Sequence, residues 1–223
     1  MHVPAAADRA AQGAQARRVI PRRYQGVSFD RPPVTHMPPD VVRAVRDYVG
    51  HLDERLAEGR GIWFSGDVGT GKTTLAMLIS AEALRQGRSV AIYSLPRLLG
   101  LLRETFDDES EASLSTLLDR LAAVELLHID DVGAEQSSPW VLEQLYTIVN
   151  TRYEDGRAIV LTTNLSPPDL QEQIGQRTVS RITEMCGDPL LLKGTDQRVS
   201  MPDPFASDEP LPYGTPRARR LAS

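Results

Sequence analysis

The sequence predicts an α/β fold in which helices flank a buried parallel sheet. Short apolar runs alternate along the chain with segments whose apolar residues recur at helical spacing, which is typical of strands buried on both faces. A glycine-rich loop follows the first run, and two adjacent carboxylates end the third. The five predicted strands stand at residues 62–64, 90–93, 124–129, 159–161 and 190–192.

Length and composition favour one domain of this kind. Of the 223 residues, we expect 1–23 to form a flexible basic arm, 24–200 the folded domain and 201–223 a flexible Pro-rich tail. Cys186 is the only cysteine, so no intrachain disulfide forms, and no apolar run is long enough to span a membrane. We therefore expect a soluble, cytoplasmic protein without a membrane partner. The net charge of −5 argues against bulk attraction to nucleic acid but is compatible with a local basic groove.

The first predicted strand leads into the octapeptide GDVGTGKT, a full match to the phosphate-loop pattern GxxxxGK[ST]. Glycines allow backbone N–H groups to turn toward phosphates, Lys72 reaches the outer phosphates, and the Thr73 hydroxyl can bind magnesium. Apolar residues at helical spacing follow, so a helix N-terminus points its positive end at the phosphates. The predicted nucleotide-binding residues are Gly66, Asp67, Val68, Gly69, Thr70, Gly71, Lys72, Thr73 and Thr74.

The third strand predicts a second part of the same site. It reads VELLHIDD and ends in Asp130 and Asp131, about sixty residues after the loop, which is a Walker B pattern. We assign Asp130 to the magnesium ion, together with Thr73, and Asp131 to polarising the attacking water. His128 lies in the same strand, but no second histidine or cysteine stands at metal-binding spacing. We therefore predict that His128 is a packed strand residue.

Polar residues after the fourth strand and on a later helix extend the site. Asn164 ends the sequence TTN and, if the third and fourth strands are neighbours, it can orient the water or sense the γ-phosphate. Arg177 and Arg181 stand at i and i+4, on one helical face. One use of such a pair is an arginine finger, which stabilises the transition state at the nucleotide of a neighbouring subunit.

In this order, the motifs GDVGTGKTT, LLHIDDVG, NTRYEDGR, LTTNL and QRTVSRI resemble those of the AAA+ ATPases of the DnaC and IstB type. The resemblance covers roughly residues 20–200. It implies an AAA+ core with strand order 5-1-4-3-2 and little or no C-terminal lid. It also implies ATP and Mg²⁺ at the interface between subunits, and assembly of a homo-oligomeric ring or spiral on single-stranded DNA.

Matched motif by motif, the resemblance gives Lys72 and Thr73 the Walker A roles, Asp130 and Asp131 the Walker B roles and Asn164 the sensor I role. Arg177 and Arg181 match the arginine pair, and which of them is the finger stays open. DNA contacts are expected near residues 98–103, in the helix after the second strand. The role of Arg198, in the sequence GTDQR, also stays open.

The function that follows is a slow ATPase, stimulated by assembly or DNA, which loads or recruits a partner. The partner is a replicative helicase for a DnaC-like loader and a transposase for an IstB-like helper. Two functions of other classes stay open: a nucleotide-gated switch with little hydrolysis, and a small-molecule kinase that uses the same loop. The kinase would need an acceptor pocket and a mobile lid, and no arginine-rich lid segment is evident.

Overall fold

The computed structural model describes residues 19–107 and 111–194. Most of the expected arm, Arg198, the Pro-rich tail and the region of a C-terminal lid lie outside these ranges. Within them, the strands are β1 Ile62–Gly66, β2 Val90–Ser94, β3 Leu126–Val132, β4 Ala158–Thr163 and β5 Leu190–Leu192. The α-helices there are α1 Pro39–Gly50, α2 Leu52–Ala57, α3 Lys72–Arg85, α4 Leu95–Asp107, α5 Glu111–Ala123, α6 Pro139–Glu154, α7 Pro167–Ile174 and α8 Gln176–Cys186.

The five strands form one parallel sheet in the order β2-β3-β4-β1-β5. This is the predicted order 5-1-4-3-2 read from the other edge, so the predicted fold class is confirmed. Because all strands run the same way, their carboxyl ends meet at one edge of the sheet. The phosphate loop after β1, the two aspartates of β3 and Asn164 after β4 all lie at this edge.

The sheet is buried on both faces, which explains why its strands are continuous apolar runs. Trp63 and Phe64, adjacent in β1, point to opposite faces, and both are fully buried. Phe64 packs in the cluster formed with α1 and α3, whereas Trp63 packs in the cluster formed with α4, α6 and α8. Within the described ranges, no helix combines the length and the apolar character that crossing a membrane requires.

β3 differs from the prediction at both ends. It begins at Leu126 rather than residue 124, because Glu125 turns its backbone N–H to the Ser89 hydroxyl. Its apolar run ends at residue 129 as predicted, but the strand continues one residue past the two predicted carboxylates to Val132, which pairs with Thr163 of β4. Hydrophobicity marks only where the side chains become polar. The end of the strand is set instead by the backbone hydrogen bonds to the neighbouring strand.

Helix α6 buries an arginine that its apolar pattern did not predict. The helix buries Leu145, Ile148 and Val149, whereas Leu142 is only half-buried and Arg152 is 1% exposed. Burial lowers the pKa of Arg152 to about 10, so its guanidinium remains charged at neutral pH. It donates hydrogen bonds to the backbone carbonyls of Leu121, Ala122, Val124, Glu125 and Ala158.

Candidate functional site

The phosphate loop joins β1 to α3 and depends on its glycines. Gly66 and Gly71 both have positive φ, 141° and 97°. A Cβ at Gly66 would overlap the Leu192 carbonyl, and one at Gly71 would overlap the end of the Met37 side chain. The Thr70 hydroxyl closes the loop from within by donating to Asp67 O at 2.8 Å. The loop shape therefore requires residues without side chains at these points.

Lys72, the first residue of α3, is buried despite its charge, with 5% of its surface exposed. Its Nζ donates to Gly66 O at 2.9 Å and to Asp67 O at 2.5 Å. The ammonium group therefore lies inside the curve of the loop, beside the positive end of the α3 dipole. Both features favour an anionic group at this place.

Asp130 is joined to the loop by direct hydrogen bonds. Its Oδ1 accepts from Thr73 Oγ1 at 3.0 Å and from Thr162 Oγ1 at 2.6 Å. Burial alone would raise the pKa of Asp130, but the nearby His128 ring and the bonds from Thr162 and Thr73 outweigh it and hold the pKa below its usual value. The group is thus a carboxylate at neutral pH, fixed next to the hydroxyl that the loop motif assigns to magnesium.

Asp131 occupies a β-bulge. The β3–β4 register shifts between Ile129 and Val132, and the Asp131 φ is 58°, the only positive value of a non-glycine residue among those described. The Asp131 N–H donates to Thr162 Oγ1 at 3.0 Å. In a regular strand, adjacent side chains point to opposite faces. The bulge instead lets Asp130 reach the loop while Asp131 lines the cavity beside it.

Asn164 follows β4 in a turn that is fixed on both sides. Ser65 Oγ, in β1, donates to Leu165 O at 2.7 Å. Thr163 Oγ1 donates to Val132 O at 2.7 Å and accepts from the Leu165 N–H at 3.1 Å. The turn between β4 and α7 is thereby tied to both neighbouring strands. Asn164 itself is exposed and lines the same cavity as Asp131.

Lys72, Thr73, Asp131 and Asn164 line one cavity of about 610 Å³, a size typical of ligand sites. Its polar wall is formed by the phosphate loop, Asp131 and Asn164. The opposite wall is formed by the segment that precedes α1, which sequence reasoning did not assign to the site. One signal of this wall was available, because the family resemblance includes the lead-in RRYQGVSFD, which contains Arg23, Tyr24 and Val27. Its residues are Arg23, Tyr24, Val27, Pro32, Pro33, His36 and Met37.

The oxygen ligands at the loop fit magnesium. Mg²⁺ prefers hard oxygen ligands and keeps several waters, so one hydroxyl and one carboxylate suffice from the protein. Thr73 and Asp130 supply this pair. In the two described stretches of the chain, no group of three or more His, Cys, Asp or Glu side chains could hold a metal ion. His128 is fully buried in β3, as predicted.

The arginine pair lies on α8, and neither residue lines the cavity of its own chain. Arg181 is held in place, because its Nε donates to Asn150 at 3.3 Å, its Nη1 to Glu184 at 3.1 Å, and its guanidinium lies over the Tyr153 ring. The Arg177 side chain is exposed and forms no hydrogen bond or ion pair with any described residue. The two arginines thus share a helix but differ in how firmly they are oriented.

The sequence and the fold are similar to those of known proteins. The profile of the family described as IstB-like ATP binding protein matches residues 56–183, more than half of the chain. The replicative helicase loader DnaC of Buchnera aphidicola subsp. Acyrthosiphon pisum (strain APS) is 28% identical over 71% of this chain and 64% of its own length. The replicative helicase loader DnaC of Escherichia coli (strain K12) is 32% identical over 61% of this chain and 54% of its own.

The matched region therefore spans less than two thirds of these two relatives. Among solved structures, the crystal structure of the DnaC helicase loader superposes with a TM-score of 0.65 at 26% identity. That match covers 78% of this chain and 99% of the solved chain. With its parallel sheet, phosphate loop and matched family profile, the chain belongs to the IstB-like ATP binding protein family, is homologous to the DnaC helicase loaders and has an AAA+ fold.

Proposed function

We propose that this protein binds ATP with magnesium in the 610 Å³ cavity and hydrolyses it to ADP and phosphate. One observation carries the proposal. Lys72, Thr73, Asp131 and Asn164 all line this cavity, and the Asp130 carboxylate accepts a hydrogen bond from Thr73 at its edge. Each of these groups is of the type that phosphoryl transfer to water requires.

Each side chain has a distinct task in this proposal. Lys72 and the N-terminus of α3 offset the phosphate charge, and Thr73 with Asp130 would hold magnesium, which neutralises further charge when bound. Asp131 accepts a proton from the attacking water, and Asn164 orients that water. The wall formed by the segment before α1 receives the nucleoside, because aromatic and apolar side chains suit a base better than phosphates.

The site is completed by a second copy of the chain. Neither Arg177 nor Arg181 lines the cavity of its own chain, yet both lie on one helix at the surface. A head-to-tail contact would bring this helix to the cavity of the neighbour, and such contacts generate rings or spirals. The guanidinium of the neighbour then stabilises charge that develops in the transition state.

We further propose that the assembly forms on single-stranded DNA and loads a replicative helicase. The two curated relatives and the solved structure are all helicase loaders by name, which supports this partner over others. A transposase, the partner of an IstB-like transposition helper, is the alternative that the matched family favours. Capture experiments with the Asp131→Asn variant, ATP and each purified partner would distinguish the two.

The experiment for the ATPase measures hydrolysis per subunit as protein concentration is raised, with and without single-stranded DNA. We expect the specific activity to rise with concentration and with DNA, because a catalytic group comes from the neighbour. Flat specific activity in both titrations would contradict assembly-dependent catalysis. A screen with nucleosides and nucleotides as acceptors tests the kinase function, which predicts phosphorylated acceptor instead of free phosphate.

A further inference from the structure

His128 is a buried polar residue that the proposed chemistry does not use. It stands in β3 two residues before Asp130, so both side chains leave the same face of the strand. Its exposed fraction is 0%. Interior positions of parallel strands are typically occupied by Val, Ile or Leu, and a buried imidazole needs polar partners. Its contacts therefore indicate what it does.

One end of the imidazole ring is bound to the phosphate-loop helix. His128 Nδ1 lies 3.0 Å from Ser80 Oγ, and Ser80, in α3, is also fully buried. The Ser80 hydroxyl donates its one hydrogen to Ala76 O at 3.0 Å, so we assign Nδ1 as the donor to Ser80. The ring thus links β3 to the same helix whose first turn contains Lys72 and Thr73.

The other end of the ring faces the Walker B carboxylate. His128 Nε2 lies 3.9 Å from Asp130 Oδ1, too far for a hydrogen bond, and this buried nitrogen has no hydrogen-bond partner among the described residues. The same Asp130 oxygen accepts from Thr73 and Thr162. The ring therefore lies between Ser80 of α3 and the Asp130 carboxylate, bound to the first and within van der Waals contact of the second.

We propose that His128 is a positioning residue that sets the orientation of the Asp130 carboxylate relative to Thr73 by joining β3 to α3. This inference rests on the proposed function, since the Thr73–Asp130 pair matters only if the site takes a magnesium nucleotide. His128 does not touch the nucleotide or the metal. Its effect is on how well the pair is arranged for the cation, as for groups that orient metal ligands in other sites.

The test uses three variants of the full chain and one control. His128→Val fits a buried strand but removes the contacts with Ser80 and Asp130. His128→Asn keeps a polar atom near Ser80, and His128→Gln keeps one near Asp130. Leu126→Val is the matched control, because Leu126 is fully buried on the same face of β3, one pleat farther from Asp130. Binding of a fluorescent ATP analogue is measured without Mg²⁺ and then across a Mg²⁺ titration.

We expect His128→Val to raise the Mg²⁺ midpoint about tenfold while binding without Mg²⁺ is unchanged. His128→Asn, which keeps a polar atom near Ser80, should bring the Mg²⁺ midpoint most of the way back to the wild-type value, and His128→Gln should bring it back less. An unchanged midpoint in His128→Val, or an equal shift in Leu126→Val, would overturn the role of His128. If His128→Val does not fold, the Gln and Asn variants carry the test. Mg²⁺ midpoints equal to the wild-type value in both of them would also overturn the role of His128. If the unmodified protein shows no Mg²⁺-dependent binding, the proposed function fails instead.

Discussion

Lys72 is one of only two lysines in the chain, and it is the buried one. Replacing it with alanine removes the cation inside the phosphate loop, so we expect the dissociation constant for a fluorescent ATP analogue to rise about 100-fold. Lys193→Ala is the matched control, because Lys193 is exposed. Equal affinity in the two variants would contradict the role of Lys72.

A lysine-reactive acyl-phosphate ATP probe should label Lys72 in the unmodified protein. Labelling of Lys193 alone would contradict the assigned binding mode.

Asp131→Asn separates binding from hydrolysis. Asparagine tolerates the φ of 58° found at this position, so the fold and the cavity should be retained. Its amide does not accept a proton, so we expect hydrolysis to fall about 100-fold or more while nucleotide affinity is kept. Single-turnover hydrolysis and fluorescent-nucleotide titrations measure the two quantities.

Asp188→Asn, at an exposed aspartate after α8, is the matched control for Asp131→Asn. Hydrolysis that survives in Asp131→Asn would exclude this residue as the base. A cellular function that survives while hydrolysis is lost would instead favour the nucleotide-gated switch.

At the residue scale, the sequence identified those groups whose chemistry is tied to a local motif. Lys72, Thr73 and the two aspartates stand at fixed spacing around a loop and a strand end, so their positions follow from the pattern. The contacts of His128 and the cavity wall before α1 were not predictable in this way. Each depends on a contact between elements distant in the sequence, such as His128 with Ser80 or Met37 with the loop.

At the scale of elements, Arg152 joins three of them. Its guanidinium donates to carbonyls at the end of α5, in the turn just before β3 and in the first residue of β4. Arg152→Leu leaves these buried carbonyls without donors, so we expect the free energy of unfolding to fall by about 3 kcal/mol or more. Urea unfolding followed by circular dichroism measures the change.

Arg120→Leu is the control for Arg152→Leu, because Arg120 is an exposed arginine of α5. A comparable loss of stability in both variants would mean that the buried contacts of Arg152 contribute little. Arg152→Lys should be intermediate, since an ammonium group has three donors and cannot reach all five carbonyls.

Helix α4 presents two arginines to solvent above its buried leucines. Arg97 and Arg103 are exposed, and Arg103 stacks on Trp140 at 5.0 Å. If this helix contacts single-stranded DNA, the double change to glutamate should weaken binding and reduce the salt slope by about 1.4, for two lost phosphate contacts. Fluorescence anisotropy at several salt concentrations measures both effects. Arg43→Glu with Arg46→Glu, on the surface of α1, changes the charge equally and should not alter the slope.

The elements themselves were largely predictable, because apolar periodicity reflects burial on a sheet or helix. The five strands and their order agree with the prediction. The end of β3 was not predictable from hydrophobicity, because the strand continues through two charged residues. Asp130 pairs with Ser94 of β2, and Val132 after the bulge pairs with Thr163 of β4. The burial of Arg152 was not predictable either, because an apolar pattern places a charged residue on the surface.

At the scale of the whole molecule, the separation of the arginines from their own cavity predicts complementation between subunits. Lys72→Ala subunits lack a working phosphate loop, and subunits with both Arg177→Ala and Arg181→Ala lack the guanidinium for a neighbour. Each variant alone should be inactive. In a 1:1 mixture, about a quarter of head-to-tail interfaces combine an intact loop with an intact arginine helix, so hydrolysis should return. Steady-state phosphate release measures it, and a mixture as inactive as its components would contradict shared sites.

The bulge in β3 also limits how this site can change by mutation. A single-base change of an aspartate codon gives Asn, Gly, Ala, Val, Glu, His or Tyr. Of these, Asn and Gly best accept the left-handed backbone of Asp131. Neither of them can take a proton from water. If Asp131 has the proposed catalytic role, a gene for this protein is one nucleotide change away from a well-folded form that binds ATP without turnover, whereas the change to glutamate must first overcome backbone strain.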